Sequence, residues 1–288
     1  MQLKLKSYPN TKDWLKFIDK ALLISGALSI TISIIFFIAY NWANMGNFFK
    51  ISLVEFSLIV AFLTYYFSKN PLISKTALYI FAILIGALLA LIGQIYQMGA
   101  DSYELFLYWA LFVTPFALIN QDKTLWLIVI ILLNISLALY NLIGGLNHIP
   151  WFSNKLTLIF IFNAFALFIW EIFRIRLTNC YNSWQRAIVI LLCNFSLIAI
   201  LVNTKVINFL LFLPYFIIIY LYYFKRKDLT ILTPTAITFL IYILIAIGKI
   251  IDWHNFWFLG LLLLATTTLL LGGYLIKTLQ NIAGDRDD

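Results

Sequence analysis

Charge is scarce in this chain. Asp, Glu, Lys and Arg make up 11% of its 288 residues, against 63% apolar residues and a mean hydropathy of +0.96. Soluble domains run near half apolar and a quarter charged, so an ordinary water-facing globule is excluded. A long polar segment is also lacking. The longest stretch free of an apolar run is the first twenty residues, which leaves no room for a separate aqueous domain.

Other scarcities narrow the chemistry. The two cysteines, Cys180 and Cys193, fall in a gap between apolar stretches and inside one of them, a placement that suits neither a disulfide nor metal ligation. The two histidines are His148 and His254, with Asp252 two residues before the second. Nothing in that spacing demands a metal, so no metal ligand and no cofactor are assigned. Nucleophile elbows, phosphate loops and dinucleotide fingerprints are missing, and a non-enzyme is the stronger expectation. The pI near 9.3 would point to nucleic acid in a soluble protein. Here no basic stripe lies on a polar face, so no nucleic-acid partner is expected.

What the chain does have is ten apolar stretches: Ala21 to Tyr40, Ile51 to Phe67, Thr76 to Tyr96, Leu105 to Ile119, Leu125 to Leu142, Leu156 to Phe173, Ala187 to Val202, Ile207 to Tyr223, Leu229 to Ile250 and Trp257 to Ile276. A bilayer core needs about 20 apolar residues of helix, which most of them supply; the fourth and seventh are short. The runs are continuous and do not alternate, and a helix satisfies its own backbone in lipid, so helices are expected and a barrel is not. The first run is too long for a secretory signal and no A-x-A site follows it, so it is expected to remain in the mature protein. The expected architecture is all-α: a polytopic transmembrane helix bundle of about ten spans, with the lipid bilayer as its first partner. Residues 1–20 form a cytoplasmic interfacial helix, 21–276 the transmembrane domain and 277–288 a cytoplasmic tail.

Orientation follows from where the cations fall. Sixteen of the twenty Lys and Arg residues lie in the amino-terminal segment, the tail and alternate gaps, the remaining four being Lys50, Lys155, Lys205 and Lys249. By the positive-inside rule both termini are cytoplasmic. All nine Trp residues lie at or near span ends, where an amphipathic indole prefers to sit. Before the first span, Trp14, Leu15, Phe17 and Ile18 alternate with charged residues in the manner of a juxtamembrane anchor.

The richest polar constellation surrounds the outer end of the third span. Gly86, Ala90, Gly93, Gln94 and Gln97 recur on one helical face, and small residues there allow a second helix to approach closely. The following gap carries Asp101 and Glu104 with no Lys or Arg. Glu55 lies about five residues inward from Lys50, where an ionised carboxylate costs a few kcal/mol unless it is paired, protonated or hydrated. It is expected to face the protein interior near Gln94 or Tyr96. Glu171 sits one turn before Arg174, and a local pair accounts for it. Asn134, Asn163 and Asn194 are read as interhelical hydrogen-bonding residues, and Pro115 and Pro214 as bends in the fourth and eighth spans.

Gly93-Gln94-Ile95-Tyr96-Gln97-Met98-Gly99-Ala100-Asp101, followed by Leu105-Phe106 and Trp109-Ala110, resembles the signature of a bacterial membrane family called domain of unknown function 2157. Phe37-Ile38-Ala39-Tyr40-Asn41-Trp42, with Lys50 after it, is similar to that family's other recurring segment. The resemblance covers about the first 120 residues. It implies a multi-pass protein of the bacterial cytoplasmic (inner) membrane and carries over no catalytic role.

Three functional readings remain open on the residues. One is transport or sensing of a small solute or cation through an outward-facing polar site, with Glu55, Gln94, Tyr96, Gln97, Asp101 and Glu104 as candidate binding residues. Another is a non-transporting scaffold or assembly partner of an envelope complex, engaging another membrane protein. The third is an intramembrane enzyme acting on lipid-linked material, with the outer acids as general acid and base.

Overall fold

The computed structural model describes residues 11–97, 99–143, 155–177, 184–203, 212–225 and 229–250, and beyond these residues 260, 262–263, 265–270, 272–274 and 277–278. The expectations placed on residues 1–10, Met98, His148, Cys180, Lys205, Arg226, Asp252, His254 and the tail from residue 279 lie outside the described residues. Among the described residues there is no strand. The helices are α1 (Thr11–Tyr40), α2 (Asn47–Phe67), α3 (Pro71–Tyr96), α4 (Ser102–Asn120), α5 (Lys123–Leu142), α6 (Lys155–Leu177), α7 (Trp184–Asn203), α8 (Leu213–Lys225) and α9 (Leu229–Ile250), and the described residues between 260 and 278 are helical as well. Wherever they are described, the ten apolar stretches of the sequence therefore fall on helix. Six helices are long and apolar enough to cross a membrane: α1 from Phe17, α2, α3, α4, α5 and, in α9, Ile231–Lys249. The protein is an all-α, multi-pass membrane protein.

Local chemistry explains the helix ends. Asn70 precedes α3 and its side chain accepts from the Leu72 N–H at 2.9 Å, with Pro71 at the first helical position, where a missing N–H costs nothing. Asp122 does the same for α5, accepting from Thr124 and Leu125 at 2.9 and 3.1 Å. The fourth and seventh helices are longer than their apolar runs, at 19 and 20 residues, because flanking polar residues such as Ser102, Glu104 and Asn120 continue the helix. α1 is continuous across residue 20, so the expected interfacial segment and the first span are one helix. Pro115 lies inside α4 as expected. Pro214, in contrast, occupies the first turn of α8, where it interrupts no helical hydrogen bond; the interior proline of the carboxy-terminal half is Pro234 of α9.

The chain forms two compact units, residues 1–136 and 137–288, with the boundary inside α5. In unit 1, α3 is the central helix, packing against α1, α2 and α4. On one side Ile38, Val54 and Leu91 meet; on the other Leu78 and Ala82 pack with Ala110, Val113 and Ala117 of α4 and Leu125 and Val129 of α5. Side-chain hydrogen bonds tie one end of this unit: Tyr65 donates to Asn120 at 2.6 Å, Tyr79 to Asp122 at 3.2 Å, and Lys75 lies 3.5 Å from the same carboxylate. At the α1–α2 connection the Asn41 amide donates to the Phe37 carbonyl at 2.9 Å, and the buried Lys50 ammonium sits 3.9 Å above the Trp42 ring. That cation–π contact gives a structural reason for Lys50 following the Phe37-to-Trp42 segment. In unit 2, α7 packs against α6 and α9, and α8 against α9; Leu197, Phe216 and Tyr242 form the centre of an aromatic-rich core.

α3 and α4 approach closely at Gly86. A Cβ built there would fall inside the Trp109 indole, whose Nε1–H donates to the Ala82 carbonyl at 2.7 Å. Only the inner part of the small-residue stripe makes this seam, since Ala90 is half-buried and Gly93 faces open space. Gly86→Val should cost about 1 to 3 kcal/mol through overpacking. Thermal unfolding in detergent should show a clearly smaller penalty for the same change in a Trp109→Ala background, because the ring it strikes is gone. Equal penalties in both backgrounds would place the strain elsewhere.

Candidate functional site

The Gln94-to-Glu104 segment is the connection from α3 to α4. Gln97 ends α3 with a left-handed backbone (φ 43°), and Gly99 follows at φ 65°, a conformation that side chains strain to adopt. Asp101 is the residue before α4, and its carbonyl accepts from the Glu104 N–H at 3.0 Å. Its carboxylate makes no capping hydrogen bond. Gln94, Tyr96, Gln97 and Asp101 are all exposed, whereas Glu104 is half-buried and accepts from the Tyr103 hydroxyl at 3.3 Å. These five candidates share one helix–turn–helix connection through chain continuity. Among the described residues no side-chain hydrogen bond joins any two of them; the Asp101–Glu104 contact is made by the backbone alone.

Glu55 does not meet the expectation that it faces inward. It lies on the exposed side of α2, between Phe56, Ile59 and Val60, and no hydrogen bond or ion pair links it to Gln94, Tyr96 or any other described residue. Eight residues separate it from the first residue of α2, about 12 Å of helix rise, which places it well inside a span. The reason is its helical phase: Val54, one residue earlier, and Ala61, six later, define the buried stripe of α2, and Glu55 falls outside it.

A second polar group, unforeseen from the sequence, is buried in unit 2. Glu171 of α6 pairs with Arg186 of α7 at 3.2 Å, and both side chains are buried; the side chain of Arg174, its expected local partner, lies outside the described residues. The Tyr222 hydroxyl of α8 donates to the other Glu171 oxygen at 3.4 Å, and the Arg186 guanidinium lies 6.0 Å from the Tyr223 ring. Two helical turns further along, the same three helices contribute Asn163, Asn194 and Tyr215. Tyr215 donates to the Asn194 carbonyl oxygen at 2.7 Å, an interhelical bond as expected for Asn194. Asn163 and Asn134 also donate to carbonyls four residues back in their own helices, at 3.0 and 2.8 Å.

The spacing carries a signal that local reading missed. Asn163 and Glu171 are eight residues apart, Arg186 and Asn194 eight, Tyr215 and Tyr222 seven. Each pair shares a helix face, so three helices present polar groups at two levels separated by about 11 to 12 Å. An acid and a base inside apolar stretches at matched registers are better partners across helices than along one. No group of three or more potential metal ligands occurs among the described residues.

Breaking the buried pair should be costly. Arg186→Leu or Glu171→Leu alone leaves an uncompensated charge and should destabilise unit 2 by about 3 to 5 kcal/mol, with the double replacement recovering much of the loss. A double-mutant cycle on thermal stability measures this, and additive single effects would contradict the pairing.

Comparison with curated proteins and with solved structures gives no match. A family comparison does give one, and it lies within unit 1. Residues 4–126, spanning α1 to α4 and the start of α5, match the model of a predicted membrane protein family, domain of unknown function 2157.

Proposed function

We propose that this protein is a non-transporting membrane scaffold, an assembly partner that docks a transmembrane helix of another protein on the α2 face of unit 1. The observation that carries the reading is Glu55, an acid inside a span, exposed and without a partner among the described residues. An ionised side chain in hydrocarbon costs a few kcal/mol on insertion scales and more on others, and pairing with a polar group of a neighbouring helix relieves that cost. The surrounding face is built for helix contact: Phe48, Phe56, Ile59, Phe62, Leu63 and Tyr66 are all exposed at helical spacing around Glu55. Charge selects the occupant. Two copies meeting on this face would bring two carboxylates together, so the fitting partner is a helix with a Lys, Arg or other hydrogen-bond donor at the matching depth.

The docking reading uses the topology expected from the cation distribution, with both termini cytoplasmic in a bacterial inner membrane. Reporter fusions after Asp101 and after Arg226 should then give opposite signals, and identical signals would overturn the orientation.

A defined probe tests the docking. In proteoliposomes, a model polyleucine helix with one central Lys should associate with the full chain roughly tenfold more tightly, by energy transfer, than the all-Leu helix, a difference of about 1.4 kcal/mol. Glu55→Leu should abolish the preference and Glu55→Gln keep part of it through hydrogen bonding. A preference unaffected by Glu55→Leu, or none at all, would sink the proposal. Self-association of the chain lost on Glu55→Leu would replace the partner with a second copy.

The solute-binding reading keeps one supporting observation. Because the Asp101 carboxylate makes no cap, it stays available beside the exposed Gln94 and Gln97, with no Lys or Arg in the gap. In that case Asp101→Asn would weaken cation binding at the α3–α4 turn while leaving the helix association unchanged.

A further inference from the structure

Asn194 is 2% exposed, lies in the middle of α7, and has an amide nitrogen with no acceptor among the described residues. Its oxygen is engaged by Tyr215 at 2.7 Å. Turning the amide over does not resolve this: the nitrogen would then donate to Tyr215 and the oxygen would lack a donor. Either orientation leaves one atom of a buried amide for something else. An unmet amide inside an apolar medium costs on the order of a few kcal/mol, so a stable fold should supply a partner.

The surroundings define that partner. Asn163 of α6 is fully buried and occupies the equivalent level, Cys193 is the neighbouring buried residue of α7, and Tyr215 joins from α8. The charged pair on these helices, Glu171 and Arg186, lies one level away and is mutually neutralised at 3.2 Å, and Lys249 meets the Val202 carbonyl about two turns off in the other direction. An ion at the Asn194 level would therefore have no counter-charge, whereas a neutral molecule needs only hydrogen bonds.

We infer that the Asn163, Asn194 and Tyr215 level of unit 2 is a binding site for a compact neutral molecule with an oxygen that hydrogen-bonds the Asn194 amide. Water is the smallest such molecule, and a small hydroxyl- or carbonyl-bearing solute has the same chemistry. Water meets the requirements of a buried site, in which two to four polar partners hold it. The site lies in unit 2 and is independent of the docking face in unit 1.

The test uses the full chain in lipid nanodiscs, labelled with nitrogen-15 in both backbone and side chains. Magnetisation transfer from water to the Asn194 amide protons should build up nearly as fast as to the exposed Gln94 amide. The buried backbone N–H of Ile190 should receive far less. Asn194→Leu assigns the signals by deleting them; should that variant not fold, Tyr215→Phe assigns them by shifting the same pair. Transfer from water identifies water as the occupant. Transfer instead from carbon-bound protons that persist after exchange into D2O identifies a co-purified solute, which also upholds the site. Amide protons at the shift of a non-bonded group, receiving magnetisation from neither source, would overturn it.

Discussion

Hydrocarbon offers a polar group no alternative partner, and this constraint decides which helices of the protein touch where. Apolar side chains gain little by exchanging lipid for one another, so the specific contacts fall to close packing and to hydrogen bonds. In unit 1 both meet on Trp109. Its ring needs the missing side chain of Gly86, and its N–H needs the Ala82 carbonyl one turn earlier on the same helix. A residue larger than glycine at 86 displaces the ring and the hydrogen bond together, so the α3–α4 register is specified twice at one place. The Asp122 cluster sets the other end: one carboxylate caps α5, accepts from Tyr79 of α3 and lies near Lys75. Because α3 also packs on α1 and α2, fixing it against α4 and α5 orders the whole unit.

Unit 2 obeys the same constraint with charge. A salt bridge buried between helices gives little net stability against an apolar replacement, but its rupture is expensive, and such a pair therefore discriminates strongly between registers. Sliding α6 by one residue past α7 would separate Glu171 from Arg186 and Asn163 from its own level. Two polar levels on three helices specify both depth and rotation, whereas one level would leave rotation about the shared contact softer.

The fold was largely legible because helical class and multi-pass character follow from composition and run length, both sums over many residues. The helix ends that the apolar runs understated, at Ser102 and Asn120, were hidden because capping and amphipathic residues continue a helix without adding hydropathy. The candidate site was legible only in part. Gln97, Gly99 and Asp101 announce a turn through their residue types, and the turn is there. The direction of Glu55 was not legible, since polarity says that a residue needs a partner and says nothing about which side of the helix provides it; the phase of Val54 and Ala61 settles that. The partnership of Glu171 with Arg186 was hidden for a related reason: Arg186 lies across a gap and was counted only as an orienting charge.

Glu55 and Glu171 are the same side chain under the same solvent constraint, and the difference between them separates architecture from function. Glu171 has its cation and a tyrosine hydroxyl inside the unit, so its cost is met by folding alone and nothing outside the chain is required. Glu55 has no such group among the described residues, although α2 could have buried it by a rotation of about 100°, one residue's turn, at the expense of Val54. The apolar stripe of α2 holds that rotation fixed against Ile38 and Leu91. The packing of the unit thus turns an acid away from its own core, and under the proposed docking the cost of that arrangement is met when another molecule supplies a hydrogen-bond donor.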